Sequence, residues 1–336
     1  MSCGGYLAAI AALTILMCGN AASQTPDRRL APDPECIGSI QKAMAQVALG
    51  QLAEAGENLS VALSKFGGRA GAPCAGLILH NLATIASMSG RFRDAEQLAA
   101  RSVAALERVY AVDDPALWRP LMILAGARLE QGKKPAARAG LKRLREIRPE
   151  QPQDRALIHG TVASLLQQLG EHRDAEVEYR SALQAWEDSG RGETVDAVAV
   201  LTSLATLLIE DRRLQEAERA VERATAILSH SKDALPMDHS KLLMVRGALH
   251  ARRREWPDAE MDFHDALTIT ERQPAVDASY VLQLLTSFTE ALNKNHHRKE
   301  ARKVDARATA LRAASPSLAA VVDMSDLPAR PKSVGK

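Results

Sequence analysis

The sequence predicts an all-α protein, a solenoid of about seven helix-turn-helix repeats, from its composition and from a short motif that recurs along it. The 336 residues include 46% hydrophobic, 25% charged and only 3% aromatic residues. A chain rich in alanine and leucine with few aromatic residues suits many amphipathic helices better than a β-sandwich or an α/β sheet. The recurring motif then divides this helical chain into units of similar length.

The motif is a six-residue segment that ends in alanine. Its seven copies read GQLAEA, GRFRDA, GKKPAA, GEHRDA, RRLQEA, REWPDA and HHRKEA. Their final alanines, called the anchors below, are Ala55, Ala95, Ala137, Ala175, Ala217, Ala259 and Ala301. Consecutive anchors lie 38 to 42 residues apart, and such even spacing indicates a stack of similar structural units.

Each unit is predicted to contain two helices. Apolar residues recur with a period near 3.6 both before an anchor, as in residues 77–88, and after it, as in residues 175–187. Glycine stands five residues before each of the first four anchors, at Gly50, Gly90, Gly132 and Gly170. Because glycine adopts the left-handed conformation of a helix C-terminus without steric cost, we expect the first helix of each unit to end there.

Small residues recur at two further places in the register. Twelve residues before the anchors stand Ala43, Ala83, Ala125, Ala163, Ala205 and Gly247. Seven residues after the anchors stand Ala62, Ser102, Ala182, Ala224, Ala266 and Ala308. Side chains this small allow two helix backbones to approach closely, so these positions are predicted to mark where helices cross.

In this pattern the chain resembles a tetratricopeptide repeat array over residues 36–314, and residues 80–115 resemble the longer repeats of kinesin light chains. The resemblance implies a right-handed superhelix whose first helices line a concave groove, with side chains 18, 15, 14, 11, 8 and 7 residues before each anchor pointing inward. Three residues depart from the family pattern. Lys42 and Arg246 stand where an apolar residue is usual, and Thr289 replaces the small residue of the last copy.

These inward positions predict a polar groove lining. The candidate partner-binding residues are His80, Asn81, Thr84, Ser87, Ser164, Gln167, Thr202, Thr206 and Thr286. Hydroxyl and amide groups can exchange hydrogen bonds with an extended backbone, so we expect a protein or peptide ligand. Asn81 matches an asparagine that peptide-binding members of the family use against the ligand backbone. The alternative is that these side chains only solvate an exposed helix face.

The N-terminus predicts export. Residues 1–23 carry no charge and combine an apolar run with small residues, as a secretory signal peptide does, so we expect a secreted or periplasmic protein. The alternative is an uncleaved membrane anchor, for which the apolar run of about 13 residues is short. We expect residues 24–35 to be a flexible segment and residues 315–336 to be a mostly disordered tail. Cleavage would leave Cys36 and Cys74, and either a disulfide between them or two free thiols fits an exported chain.

Charge and motifs exclude several function classes. The net charge of +2 gives no electrostatic attraction to nucleic acid or to an anionic membrane. The sequence contains no catalytic, nucleotide-binding or metal-binding motif, and the adjacent His296 and His297 would point apart on a helix. We therefore predict a non-catalytic interaction scaffold without cofactor or metal. The alternative function is a structural or assembly role through self-association of the solenoid.

Overall fold

The computed structural model describes residues 33–66, 73–273 and 276–314. Within these ranges the chain forms 14 α-helices, one short 3₁₀ helix at Pro115–Leu117 and no strand, which confirms the predicted all-α class. The predicted signal peptide (1–23), residues 24–32 of the predicted flexible segment 24–35 and the tail 315–336 lie outside the described residues.

The helices form seven consecutive hairpins, one per anchor. In chain order the helices are α1 (Pro34–Ala48), α2 (Leu52–Phe66), α3 (Pro73–Met88), α4 (Phe92–Leu106), α5 (Trp118–Glu130), α6 (Lys134–Glu146), α7 (Pro152–Leu169), α8 (His172–Asp188), α9 (Val195–Glu210), α10 (Leu214–His230), α11 (Pro236–Arg253), α12 (Trp256–Glu271), α13 (Ala278–Lys294) and α14 (Arg298–Ala314). The odd-numbered helices are the first helices of the repeats and the even-numbered ones are the second helices.

The hairpins stack into a solenoid because every repeat contacts the next one twice. Each first helix touches the first helix of the following repeat, and each second helix touches it as well. The largest buried apolar cluster accordingly runs from Ala83 in the second repeat to Leu249 in the sixth. No repeat could bury its apolar faces without its neighbours.

The predicted glycines do end the first helices. Gly90 has a φ of 70°, and Arg91 after it donates its N–H back to the backbone oxygen of Ala86 at 2.8 Å. Residues other than glycine take the same left-handed conformation in the last three repeats: Arg212, Arg254 and His296 have φ values of 61°, 66° and 66°. The turn therefore depends on its hydrogen bonds, and glycine only lowers the strain of making it.

Small residues lie at the helix crossings, as predicted. Each of the five alanines twelve residues before an anchor is completely buried. In the sixth repeat Gly247 takes this position, and a Cβ there would lie 2.9 Å from the Phe263 ring. In the third repeat a Cβ on Gly140 would lie 3.1 Å from that of Ala125. The crossings have no room for larger side chains.

Ion pairs between consecutive repeats form a second periodic feature, which we call the ladder. It joins the residue after an anchor to a residue near the start of the next second helix. Glu176 accepts from Arg213 Nη1 at 2.6 Å, Glu218 accepts twice from Arg253 at 2.7 Å, and Glu260 lies 2.9 Å from His297 Nδ1.

The third repeat reverses the polarity of the ladder. It carries Arg138 after its anchor in place of glutamate, and Arg138 Nε donates to Glu171 of the fourth repeat at 2.6 Å. Both charges have changed sign, so the attraction between the repeats is kept.

Arg246, which departs from the family pattern, has a specific partner. Its guanidinium donates to both carboxylate oxygens of Asp262, at 2.9 Å from Nε to Oδ2 and 2.5 Å from Nη2 to Oδ1. Asp262 is only 1% exposed. The pair replaces an apolar contact between α11 and α12 with a two-pronged ion pair.

Replacing Arg212 with glycine should raise the free energy of unfolding by up to about 1 kcal/mol, because glycine adopts a positive φ without strain. Gly170→Ala is the matched control. A Cβ at Gly170 would meet no atom within 4 Å, so strain at its φ of 80° should lower stability by about the same amount. Urea unfolding followed by circular dichroism measures both. Equal losses in the two variants would contradict this account of the turn.

A second prediction concerns Glu96, which accepts from Lys133 Nζ at 2.6 Å, Arg128 Nε at 3.1 Å and Gln131 Nε2 at 2.9 Å. Burial raises the pKa of Glu96, but these donors together outweigh burial and hold the pKa below its usual value. Glu96→Gln should lower the free energy of unfolding at pH 7 by about 1 kcal/mol. The loss is modest because Glu96 and its donors are partly exposed to water.

The effect of Glu96→Gln should depend on pH. A carboxylate with a lowered pKa stabilises the fold above the ordinary glutamate pKa of about 4.3 and loses that effect as the pH falls. The difference from the wild type should therefore shrink in acid. Glu57→Gln, on the exposed face of α2, is the control and should change stability little. A Glu96→Gln deficit that is constant from pH 7 to pH 3.5 would refute the charge-based explanation.

Candidate binding groove

The predicted groove residues all lie on first helices, namely on α3, α7, α9 and α13. Consecutive first helices contact each other along the whole described stack. These contacts cover part of the face on which the predicted residues stand, so the structure places them in different environments.

The four residues on α3 are buried. His80, Asn81, Thr84 and Ser87 are between 5% and 7% exposed. Asn81 Nδ2 donates to the backbone oxygen of Leu77 at 2.8 Å, and the Thr84 hydroxyl donates to that of His80 at 3.1 Å. Asn81 and Thr84 thus each donate a hydrogen bond to the backbone of their own helix. Contact between the four α3 residues and a partner stays a prediction.

The other predicted residues divide into two groups. Ser164 and Thr202 are 7% and 8% exposed and count as buried. Gln167 and Thr206 are partly exposed, and Thr286 is exposed. The accessible part of the predicted set therefore lies on α7, α9 and α13.

The threonine hydroxyls donate to their own helix. Thr202 donates to the Val198 oxygen and Thr206 to the Thr202 oxygen, both at 2.9 Å, and Thr286 donates to the Leu282 oxygen at 2.8 Å. A hydroxyl that donates in this way keeps its oxygen lone pairs as acceptors. Of the three, Thr206 is partly exposed and can accept an N–H donor from a ligand, whereas Thr202 is buried and Thr286 Oγ1 already accepts from Arg312 Nη2 at 3.4 Å.

Gln167 is held by two contacts. Its Nε2 donates to Glu210 at 2.8 Å, and its Oε1 accepts from the Tyr179 hydroxyl at 2.9 Å. The side chain is therefore oriented before any ligand arrives, and Glu210 adds an exposed carboxylate beside it.

A charged cluster that the sequence prediction missed joins three consecutive first helices, α3, α5 and α7. His80 Nδ1 and Arg119 Nε are buried atoms without a hydrogen-bond partner in the described part of the chain. Arg119 Nη2 lies 3.9 Å from Asp154, and its guanidinium carbon lies 4.8 Å from the centre of the Trp118 ring. The sequence could have predicted Arg119 as an inward-pointing residue, because it stands 18 residues before the anchor Ala137.

The charges in this cluster compensate each other poorly. Burial, followed by the positive charge of Arg119, lowers the pKa of His80 to about 3, so its imidazole is neutral at pH 7. Burial also raises the pKa of Asp154, and the charge of Arg119 opposes that rise. At 3.9 Å the ion pair between Arg119 and Asp154 is too long to be a hydrogen bond.

Family models identify the repeats. A tetratricopeptide repeat model matches residues 77–116, and a second tetratricopeptide repeat model matches residues 154–229. These matches fall on the second, fourth and fifth hairpins of the stack. Residues 77–116 and 154–229 of the chain are therefore tetratricopeptide repeats. No curated protein sequence matches it.

Solved structures of similar fold agree with this assignment. RapI in its apo form superimposes with a TM-score of 0.63 at 15% identity, over 83% of this chain and 97% of that one. A Rap protein complexed with Competence and Sporulation Factor gives a TM-score of 0.62 at 14% identity, over 83% and 75%. BtubC (BKLC) from P. vanneervenii gives 0.53 at 19% identity, over 73% and 96%. At these identities the likeness establishes the repeat solenoid and nothing finer.

The two cysteines of the repeat array lie together. Cys36 on α1 and Cys74 on α3 are buried free thiols, and they are hydrogen-bonded to each other. This bond and burial raise the pKa of Cys36 far above that of an ordinary thiol. The disulfide stays a prediction, with its two partners already adjacent.

One group of side chains in the described residues has the spacing of a metal site. Ligand atoms of His250, Glu255 and Asp258 lie within 4.8 Å of one another. Glu255 stands four residues before its anchor, where the ladder usually has a base. Arg253 binds Glu218 in its place, and Glu255 lies 2.6 Å from His250 Nδ1 instead. The three side chains are thus close together because Glu255 pairs with His250 instead of taking part in the ladder.

Within the described repeats, no helix combines the length and apolar character that crossing a membrane requires.

The environment of His80 predicts a pH effect. As the pH falls below about 6.5, His80 becomes protonated in the unfolded chain. In the folded chain it stays neutral until the pH approaches about 3. Stability should fall by up to about 1.4 kcal/mol per pH unit on this account. His80→Leu removes this penalty, so the stability of the variant relative to the wild type should rise by about 2 kcal/mol between pH 7 and pH 5.

Chemical denaturation across this pH range checks the effect of His80→Leu. The other histidines are common to both proteins and cancel in the difference. Parallel stability profiles between pH 7 and pH 5 would mean that His80 titrates normally in the fold.

Proposed function

We propose that the protein is a non-catalytic, exported interaction scaffold that binds a protein or peptide segment along its first helices. The observation that carries the proposal is that each of the seven first helices contacts the next, and four of these helices bear the predicted polar residues. A surface of this kind suits an elongated ligand, because each repeat can contribute a contact to a different part of it.

The comparison structures support a ligand of this class. A Rap protein with the same repeat architecture is described in a complex with Competence and Sporulation Factor. For the present chain we propose only that the fold has the same use, as a scaffold that binds another molecule. Export rests on residues 1–23, whose composition is that of a signal peptide.

The exposed members of the predicted set are the best candidates for contact. Thr206 is partly exposed and Thr286 is exposed, and the side chain of Gln167 is held by Tyr179 and Glu210. Thr202 is a poor site for a test of binding, because a charge at a residue only 8% exposed would disturb folding as well.

Thr206→Glu should weaken partner capture at least tenfold, because it places a charge on the proposed binding face. Thr225→Glu is its matched control in the same repeat, on the second helix α10. Thr225 is also partly exposed and donates to the oxygen four residues back, Val221, at 2.8 Å, as Thr206 does to Thr202 at 2.9 Å.

The measurement is chemical cross-linking of wild type and both variants in the extract of the exported fraction, followed by quantitative mass spectrometry of the captured proteins. The proposal expects one set of proteins that Thr225→Glu retains and Thr206→Glu loses. Identical capture by all three would exclude the first-helix face. Capture of further copies of this chain alone would favour self-association instead.

A further inference from the structure

We propose that Cys36 and Cys74 form a disulfide that joins the first repeat to the second, in place of the ladder pair that Gly56 cannot make. The inference goes beyond the proposed binding function and involves no partner. It starts from two buried thiols on neighbouring first helices and from a gap in the ladder at the same junction.

The first observation is the position of the two thiols. Cys36 lies in the first turn of α1 and Cys74 in the first turn of α3, and these two first helices are in contact. The side chains are 0% and 3% exposed and belong to one apolar cluster. Because the two thiols are hydrogen-bonded to each other, their sulfur atoms already face one another.

The second observation is the gap in the ladder. In the five later junctions, the residue after the anchor is charged and pairs with the next repeat. These residues are Glu96, Arg138, Glu176, Glu218 and Glu260. Gly56 follows the first anchor and has no side chain to pair. Arg91 stands where the ladder base would be, four residues before Ala95, and pairs with Asp94 of its own repeat at 3.3 Å.

The third observation is that the first repeat packs in a cluster of its own. Within the described residues, the members of this cluster from the second repeat all lie on α3, with Cys74, Ile78 and Ile85 buried among them. A repeat at the end of a stack has only one neighbour and opens more easily than an inner one. A bond from Cys36 to Cys74 would close the whole first hairpin into a covalent loop and oppose this opening.

The bond needs an external disulfide, R–S–S–R, as oxidant, because the two thiols together lose two electrons and two protons. One cysteine thiolate attacks a sulfur of the oxidant, which forms a mixed disulfide and releases the first R–S⁻. The other cysteine attacks the mixed disulfide, closes the bond between Cys36 and Cys74 and releases the second R–S⁻. The two R–S⁻ groups take up the two protons. The export proposed above would bring the chain to a compartment where such oxidants act.

The environment of the thiols indicates when the bond forms. The hydrogen bond with Cys74, followed by burial, raises the pKa of Cys36 far above that of an ordinary thiol, and the thiolate is the reactive form. We therefore expect exchange to take place before the first repeat docks, or when it opens. Once the repeat has docked, the same burial protects the bond from external thiols.

Peptide mapping tests the bond itself. The full chain is equilibrated with a mixture of oxidised and reduced glutathione, free thiols are blocked with iodoacetamide, and tryptic peptides are identified by mass spectrometry. We expect peptide 30–42 linked to peptide 70–91 in at least tenfold excess over the blocked peptides. Blocked thiols at both positions, mixed disulfides with glutathione, or links to Cys3 or Cys18 would overturn the proposal.

Hydrogen exchange of the backbone amides tests what the bond does. Wild type folded with reductant should exchange at least tenfold faster in α1 and α2 than the oxidised wild type, whereas α9 and α10 should exchange equally in both. Cys36→Ser cannot form the bond, so its exchange should be the same in oxidising and reducing buffer. If Cys36→Ser fails to fold, the comparison within the wild type carries the test. Equal exchange of α1 and α2 in oxidised and reduced wild type would overturn the proposal.

Two variants of Gly56 test the connection with the ladder. A Cβ at Gly56 would meet no atom within 4 Å, so a longer side chain has space. In the Cys36→Ser background, Gly56→Glu can pair with Arg91 and should slow exchange in α1 and α2 about threefold more than Gly56→Gln does. Gly56→Gln is the matched control, because glutamine has nearly the same size and helix propensity without the charge.

The outcomes keep this inference separate from the proposed function. Equal exchange in Gly56→Glu and Gly56→Gln would overturn the claim that the disulfide replaces a ladder pair. None of these measurements involves a partner. Their failure would therefore leave binding along the first helices standing, and loss of capture in Thr206→Glu would not bear on the disulfide.

Discussion

The structure depends on the absence of side-chain volume where its helices cross. Ala205 is completely buried between helices, and at Gly247 the Phe263 ring already occupies the space that a Cβ would take. Close crossings fix the angle and distance between the helices of a repeat, and through the shared first helices they fix the position of the next repeat. A register of small residues thus sets the path of the whole stack.

Ion pairs between charged side chains then hold consecutive repeats together near their turns. Close stacking of the first helices shapes the proposed binding face. The ladder holds adjacent repeats through pairs such as Glu176 with Arg213, and its reversal at Arg138 shows that attraction matters more than the sign at each position. On the first helices the same close approach buries His80 and leaves Arg119 without a full partner.

The sequence predicted the elements that follow from local chemistry. Anchors, crossings and glycine turns all carry a signal within one repeat, because helix ends and small-residue contacts are determined by nearby residues. Exposure of the groove could not be predicted in this way. Whether Thr84 is covered depends on the distance between helices of different repeats, and the repeat register does not contain that distance. The left-handed conformation of Arg212 was not predicted for another reason. The hydrogen bonds of its turn outweigh the strain of a positive φ, which residues other than glycine usually avoid.

The packing of Ala205 offers the most direct test of this account. Ala205→Leu adds bulk at a crossing without space, whereas Ala199→Leu adds the same bulk on the exposed face of the same helix, α9. Thermal and urea unfolding of the two variants should show a loss of about 1–3 kcal/mol for Ala205→Leu and almost none for Ala199→Leu. Equal stability of both variants and the wild type would contradict the claim that small residues at the crossings hold the solenoid together.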